Sequence, residues 1–376
     1  TPRQGFLFDF GVEGVNFYNR QQKYADGAQT TSRTSYNTFN FHDIAFQLPL
    51  ARRLGLGFSL TPYSSVGYRV SADEQSDDVW GNIGRVQYLY AGEGDLTEVK
   101  LGIGWEVVKR VSIGVAAQYY WGDIERTYQT VVSNNIVNGG SVNTVTGTDS
   151  YGISRIKMQL GLQADLIQSE RQVLTLGATY DMGGNLRPSV NQTVVNGDIY
   201  GTVVRGDTTR MALKLPVQLG VGLYYQNAKI AAGVDYIYQN WENNESPKSV
   251  PGAVNVAYKN TNTVKLGFEY TPNRMDIRNY LKRWSYRVGF RYGTYYQTFE
   301  GKTLSQYAVT AGFGMPVRFL GRSSIDFGVE FGQRGNDSPL RIDNRQIGLV
   351  RQRYVKFSLG LTLFGEDSWF VRYKYD

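Results

Sequence analysis

The sequence predicts an all-β protein: a transmembrane, antiparallel, up-and-down β-barrel of about fourteen strands, with short turns at one end and long loops at the other. Three observations predict it. Strand-length segments alternate apolar residues with small or charged ones, which gives each strand two unlike faces. No run approaches the roughly 20 apolar residues of a transmembrane helix, whereas a barrel strand needs only about 9–11 residues with every second one apolar. Long polar segments follow odd strands and short turns follow even ones, a parity that a membrane barrel requires and a soluble β-sandwich does not.

The elements follow in order. Residues 6–13 place Phe6, Phe8, Phe10 and Val12 on one face and Asp9, Gly11 and Glu13 on the other, which makes the first strand. A polar loop near 20–36 leads to a second strand at about 39–48. The tight connection 49–53 turns the chain into 54–60. A polar, acidic segment at about 72–95 precedes a strand at 99–107, a turn at Lys109-Arg110 and a strand at 111–128. A Ser, Asn, Gly and Thr-rich loop at 132–150 separates these from strands at 151–167 and 173–182. Another loop, 187–207, precedes strands at 211–225 and 229–241, which flank Gln226-Asn227 as a two-residue hairpin connection.

After a loop at 243–260 comes a strand at 264–270. Its following turn lengthens to 271–283 and mixes Met275, Ile277, Tyr280 and Leu281 with charges, which suits either a short helix at the membrane edge or a plain polar turn. Strands at 284–297, 304–315, 323–331 and 354–363 complete the series. The last has Val355, Phe357, Leu359, Leu361 and Leu363 on one side and Lys356, Ser358, Gly360 and Thr362 on the other. It is expected to descend and pair with the first strand, closing residues 1–364 into one barrel and leaving 365–376 as a periplasmic tail.

Composition bounds the function. Tyr, at 28 residues against 18 Phe and 6 Trp, suits strands and membrane–water interfaces better than a helical core. No Cys is present, so neither a disulfide framework nor a thiolate metal site is available. The single His, His42 beside Asp43, forms a pair rather than a catalytic set, and no nucleophile elbow, phosphate loop or metal-ligand spacing occurs; neither an enzyme nor a cofactor is expected. The net charge of +7 is scattered rather than clustered, which argues against a nucleic-acid partner. Thr1 is neither an initiator Met nor part of a signal peptide, so the chain is expected to be processed or trimmed.

With the apolar face outward, the lumen receives Lys100, Glu106, Asp165, Asp235, Lys265, Glu269, Arg287, Arg291, Asp326, Glu330 and Lys356. A charge facing lipid at mid-depth would cost on the order of 2–4 kcal/mol, so the alternation fixes the register. Lys265 and Glu269 fall beside Arg287 and Arg291, and Asp326 and Glu330 beside Lys356. This set is either a ladder of ion pairs filling a narrow barrel or a charged path and docking surface for a plug. Inner-face glycines, among them Gly102, Gly104, Gly161, Gly289, Gly328 and Gly360, make room for the long side chains. Gly92-Glu93-Gly94 reads as a loop glycine pair. Pro62 interrupts the third strand and cannot donate to a ladder. It marks either the strand's end or an inward kink that opens the wall at Thr61, Pro62, Tyr63 and Ser64.

Several stretches resemble a known family. They are Ala45-Phe46-Gln47-Leu48-Pro49 with 56–68, Leu215-Pro216-Val217-Gln218-Leu219-Gly220-Val221-Gly222, and the closing segments 312–316, 327–335 and 369–376. Together they resemble the FadL-like outer-membrane proteins in the form common in Bacteroidetes. The resemblance implies a fourteen-stranded barrel in the bacterial outer membrane, surrounded by its lipids. In transporting members it also implies an N-terminal hatch and a lateral opening at a kinked third strand, through which hydrophobic, fatty-acid-like compounds pass. The hatch would precede the first strand, where only 1–5 stand, so it is expected to be trimmed or lacking. Other barrels of this kind resemble subunits of outer-membrane machines for secretion or barrel assembly, which dock protein or lipoprotein partners through loops and wall; uptake of hydrophobic small molecules is the leading expectation and a docking subunit the alternative.

Overall fold

A computed structural model of the chain describes residues 6–25, 28–74, 77–133, 142–169, 171–197, 202–210, 213–242, 256–317, 323–342 and 345–363. The expected tail, 365–376, lies outside the described residues. In chain order the strands begin with β1 (Leu7–Ala25), β2 (Ala28–Ala51) and β3 (Leu54–Asp73), followed by the short helix α1 (Asp77–Asn82). Next come β4 (Arg85–Val108), β5 (Val111–Ser133), β6 (Val142–Gln168) and β7 (Gln172–Asp181). Four short strands follow: β8 (Gly184–Asn185), β9 (Ser189–Asn196), β10 (Thr202–Arg210) and β11 (Lys214–Leu215). Then come β12 (Val217–Asn227), β13 (Ile230–Asn240), β14 (Val256–Tyr258) and β15 (Thr261–Tyr270). The last six strands are β16 (Ser285–Phe299), β17 (Lys302–Val317), β18 (Ser323–Arg334), β19 (Pro339–Ile342), β20 (Arg345–Gly348) and β21 (Val350–Leu363).

Fourteen of these form the wall. Each pairs antiparallel with its neighbours in the series β1, β2, β3, β4, β5, β6, β7, β12, β13, β15, β16, β17, β18 and β21. The ring closes where β21 meets β1, with Phe8 opposite Leu363 and Val12 opposite Leu359. The seam between β21 and β1 is thus fully paired, as strands spanning a bilayer require.

The alternation puts the apolar side chains outside. Ile156 is 68% exposed, Phe331 58% and Val288 56%, and similar exposure holds for Leu101, Ile103, Leu162, Val221, Leu266, Val309 and Phe357 on other wall strands. A water-soluble monomer rarely exposes an apolar patch larger than a few hundred Å², so this surface is built for lipid. Tyr119, Tyr292 and Tyr307 rim the band above, and Trp105, Tyr270 and Tyr286 rim it below, as interfacial aromatic girdles do. No described helix is long and apolar enough to cross a membrane.

Several segments read as loops are strands. β1 and β2 stay paired as far as Ala25 and Ala28, β5 and β6 as far as Ser133 and Val142, β9 pairs with β10 over most of 187–207, and β19 pairs with β20 between β18 and β21, where no strand is expected. These stretches are polar on both faces because they stand in water beyond the bilayer, so they lack the two-face pattern that marks the wall. Their Thr, Val and Tyr content still favours extended backbone. Gly92-Glu93-Gly94 likewise lies inside β4 rather than in a loop. The 211–225 strand divides at Pro216, which has no N–H for a ladder, and the hairpin connection moves from Gln226-Asn227 to Ala228-Lys229. There Asn227 Oδ1 accepts the N–H groups of Lys229 and Ile230 and forms the turn itself.

Candidate functional site: a wall gap above a polar lumen

The wall parts between β2 and β3. Their pairing runs from Ala51 with Leu54 to Ile44 with Leu60 and stops there. Above that point β2 pairs with β1 and β3 with β4, so two facing strand edges stand without a mutual ladder. Six residues separate Leu54 from Leu60; at about 3.3 Å per residue and a tilt near 40°, the gap opens roughly 15 Å above the periplasmic turn. It therefore begins within the bilayer and continues into the medium.

The chain bends here across three strands. Thr61 and Pro62 still face Glu98 and Thr97 of β4, but Tyr63 is an extra residue in β3, and pairing resumes at Ser64 with Leu96. The β4–β5 ladder skips between Gly94–Ile124 and Thr97–Trp121. Gly94 (φ 121°) and Gly122 (φ 151°) face each other across that skip, each so close to the opposing backbone that a Cβ would overlap a carbonyl. Tyr63 packs edge-on against Tyr120, with ring centroids 4.8 Å apart. Of the four residues singled out from the sequence, Thr61, Pro62, Tyr63 and Ser64, all lie on this bend, at the first level where β3 has left β2.

Below and behind the bend, part of the chain folds inward. After Asp181 the chain leaves the wall, and β8 pairs with β11 as a small inner ribbon. Leu186, 1% exposed, packs with Leu96, Tyr120 and Ile153, and Leu213 and Leu215 lie against them. Arg155 Nε donates to the Leu186 carbonyl at 3.0 Å, and Lys157 Nζ to that of Asn185 at 3.2 Å. Beneath the ribbon Asp181 accepts from Gln118 (3.0 Å), Gln159 (2.7 Å) and Gln218 (3.0 Å), and Gln239 donates to Gln218 at 2.7 Å. Sequence reasoning missed this inner ribbon and glutamine belt. Pro188, Pro216 and the Gly183-Gly184 pair, flanking leucines in a polar stretch, were its available signal.

On the other side of the lumen the charges connect. Arg287 of β16 bonds Glu269 of β15 at 2.7 Å and also bridges to Asp326 of β18. It reaches β18 because β17 presents Gly312 and Gly314 between them, and a side chain at Gly314 would collide with this pair. Arg291 donates to Glu330 and to the Tyr354 hydroxyl, both at 2.8 Å, and Tyr354 donates to Glu330 at 2.6 Å. Gly332 leaves the space that the Tyr354 ring fills. Lys265 stands in register between Asp235 and Arg291. Lys356 was placed beside Asp326 and Glu330; it does oppose Glu330 in register, yet its ammonium bonds Glu13 of β1 at 2.9 Å. The longer, forked arginines on β16 take both acids of β18 instead. Lys100 lies 3.5 Å from Glu98. Glu106 and Asp165 sit low, Glu106 accepting the Arg110 N–H at 3.1 Å and Asp165 the Thr175 hydroxyl at 2.9 Å.

His42 is the extra residue of a bulge in β2, opposite the Gly11–Val12 step. Its Nδ1 is 2.6 Å from Asp43 Oδ1 and its Nε2 is 4.0 Å from Glu13 Oε2. Among the described residues no group of three or more His, Asp or Glu is arranged to hold a metal ion. Two lumen cavities, of about 780 and 810 Å³, lie over small inner-face residues such as Gly57, Gly102, Gly177 and Gly222, and Gly11, Gly289, Gly312 and Gly328. A third, about 110 Å³, lies between Tyr63, Glu98, Lys100, Lys157 and Asp181.

A closed fourteen-stranded barrel with a lipid-compatible exterior is an integral outer-membrane β-barrel protein, and its fold is FadL-like. Solved structures agree on the fold. A FadL homologue from Pseudomonas aeruginosa superposes with a TM-score of 0.63 at 13% identity, over 96% of this chain and 90% of that one. The toluene transporter TodX of P. putida gives 0.57 at 15% identity, over 95% and 89%. The monoaromatic hydrocarbon channel CymD gives 0.56 at 12%, over 97% and 90%. No curated protein sequence matches the chain. The BamG family model matches residues 14–376, and the chain belongs to the BamG family.

Proposed function

We propose that this barrel is a docking subunit of a multiprotein outer-membrane machine, holding outer-membrane protein or lipoprotein partners through its outer hairpins. The observation that carries this reading is the pair of facing strand edges above Ile44 and Leu60. On β3, the residues from Tyr63 to Asp73 are exposed except Val66. On β2, Phe39 is 78% exposed. A long unpaired edge is a template for another strand, which proteins ordinarily shield with charge, a bulge or a cover. These edges carry chiefly Ser, Thr, Val and Tyr, residues suited to pairing, with Arg33 and Arg69 among the few charges. Membership in the BamG family favours a machine of the barrel-assembly type over one for secretion. The glutamine belt supports the same reading, since it sets polar contacts across the lumen beneath the bend, where an apolar passage would need apolar lining. The test is purification of the tagged chain from native outer membranes in mild detergent. A stoichiometric complex with another barrel or with lipoproteins is the expected result; a solitary barrel contradicts it.

A second reading draws on the same gap and on the two lumen cavities: passage of hydrophobic, fatty-acid-like molecules from lumen to membrane at Thr61, Pro62, Tyr63 and Ser64. The charged lumen residues would then flank the path rather than brace a scaffold. Uptake of a labelled fatty acid that falls when the gap is cross-linked shut supports this reading, and uptake equal to that of cells lacking the protein rejects it.

A further inference from the structure

The periplasmic turn at 271–284, far from the wall gap, has a surface that neither reading uses. Its backbone is fixed by side-chain caps in series. Asn273 Oδ1 accepts the Met275 N–H at 3.1 Å, Asp276 Oδ1 accepts those of Arg278 and Asn279 at 2.9 and 2.8 Å, and Asn279 Oδ1 accepts that of Leu281 at 3.0 Å. A single 3-10 turn, Tyr280–Arg283, follows. This rigid frame presents apolar side chains outward: Ile277 is 99% exposed, Met275 72% and Leu281 54%.

The turn also leans over the lipid-facing side of the wall rather than the lumen. Tyr280 meets Trp284 edge-on at 6.0 Å, and Trp284 stacks on Phe313 of the outer surface at 5.0 Å. The Tyr280 hydroxyl donates to the Pro316 carbonyl at 2.8 Å, and that of Tyr286 to the Leu281 carbonyl at 3.1 Å. Four basic residues, Arg274, Arg278, Lys282 and Arg283, stand against one acid, Asp276. Arg274 is spent on Glu269 at 3.4 Å, and Lys282 lies 3.9 Å from Asp276. Arg283 lies over the Tyr280 ring, 5.5 Å from its centroid, and among the described residues Arg278 has no acid within ion-pair distance. Exposed aliphatic groups beside cations, at the level where the wall leaves lipid, match the two parts of a phospholipid: acyl chain below and anionic headgroup above.

We infer that this turn is an anchor in the periplasmic leaflet, with Ile277, Met275 and Leu281 inserted among acyl chains and Arg278, Lys282 and Arg283 binding the phosphate of an anionic phospholipid. The test returns the whole barrel to nanodiscs of phosphatidylcholine mixed with phosphatidylglycerol, then releases it for native mass spectrometry to count retained lipid. The wild-type chain is expected to prefer phosphatidylglycerol. The variant R278Q/K282Q/R283Q is expected to lose that preference by about tenfold or more, and Arg85→Gln at the opposite rim to keep it. A measurement on the unaltered chain guards against misfolding of the variant: a photoactivatable phosphatidylglycerol should label the peptide containing Ile277. The inference is overturned if the wild-type chain shows no preference, if the triple variant retains it, or if in cells the turn cross-links to an acidic periplasmic protein instead of lipid.

Discussion

Individual residues divide between those that brace the lumen and those that shape its ends. Arg287 neutralises Glu269 and Asp326 together, so Arg287→Gln removes the cation that links a carboxylate on β15 to one on β18. Its side chain is 45% exposed to the water of the lumen, which screens the loss to about 1–2 kcal/mol. Urea unfolding in detergent should show that decrease. At the periplasmic end, the Asn279 N–H, aided by that of Arg278 and by the Lys282 ammonium, holds the Asp276 carboxyl below the usual carboxylate range. A value depressed in the folded state means that the contribution is complete above the ordinary Asp value and is lost as pH falls through the lower, folded one. Asp276→Ala should therefore speed tryptic cleavage after Arg278 at neutral pH. In the parent chain the same cleavage-prone opening should be absent at neutral pH and set in only under acid, as read by exchange of the Asn279 amide. These roles differ in how far the residue types announce them. The alternation exposed the inward direction of Arg287 and Arg291, but their partners depend on how far a guanidinium reaches across Gly312 and Gly314, which no one-strand pattern contains.

Among the elements, β3 matters most because one end is wall and the other is not. Its lower half is held by Phe46 against Phe58, rings stacked at 4.7 Å, and its upper half by β4 alone. The chain has no native Cys, so paired cysteines report this directly. Ala45→Cys with Ser59→Cys, register partners below the gap, should oxidise to a disulfide in the isolated barrel. Thr38→Cys with Val66→Cys, which would be partners if the ladder continued, should stay reduced. The bend itself rests on Gly94 and Gly122. Gly94→Val, at φ 121° and against the Asp123 carbonyl, should cost on the order of 2–3 kcal/mol and lower the yield of folded barrel, measured as the heat-modifiable band. Pro62 was legible as a ladder irregularity because the residue itself forbids ladder donation, but β3 does not end there and runs on to Asp73 beside β4. Gly94 was misread as a loop residue, since a polar strand above the membrane carries no apolar alternation to distinguish it from a loop. The inner ribbon was hidden for a related reason: its leucines pack into the lumen, where the outward-apolar rule reverses.

For the molecule as a whole, the strand number, the order of pairing and the closure of β21 on β1 follow from the two-residue period and the parity of connections, because lipid enforces both. Lipid enforces nothing above the bilayer, and there the sequence understates the structure: β2, β4 and β6 run to 24, 24 and 27 residues, more than twice what a crossing needs. Those extensions, with the gap between β2 and β3, are what the docking proposal uses. The most direct measurement places a photo-crosslinking residue in living cells at Val70 on the β3 edge and, separately, at Val288 on the lipid-facing wall. The docking account predicts that Val70 yields a discrete protein adduct of defined mass and Val288 does not. Lipid-only adducts at both positions, from a protein that is folded and present at normal abundance, would contradict it.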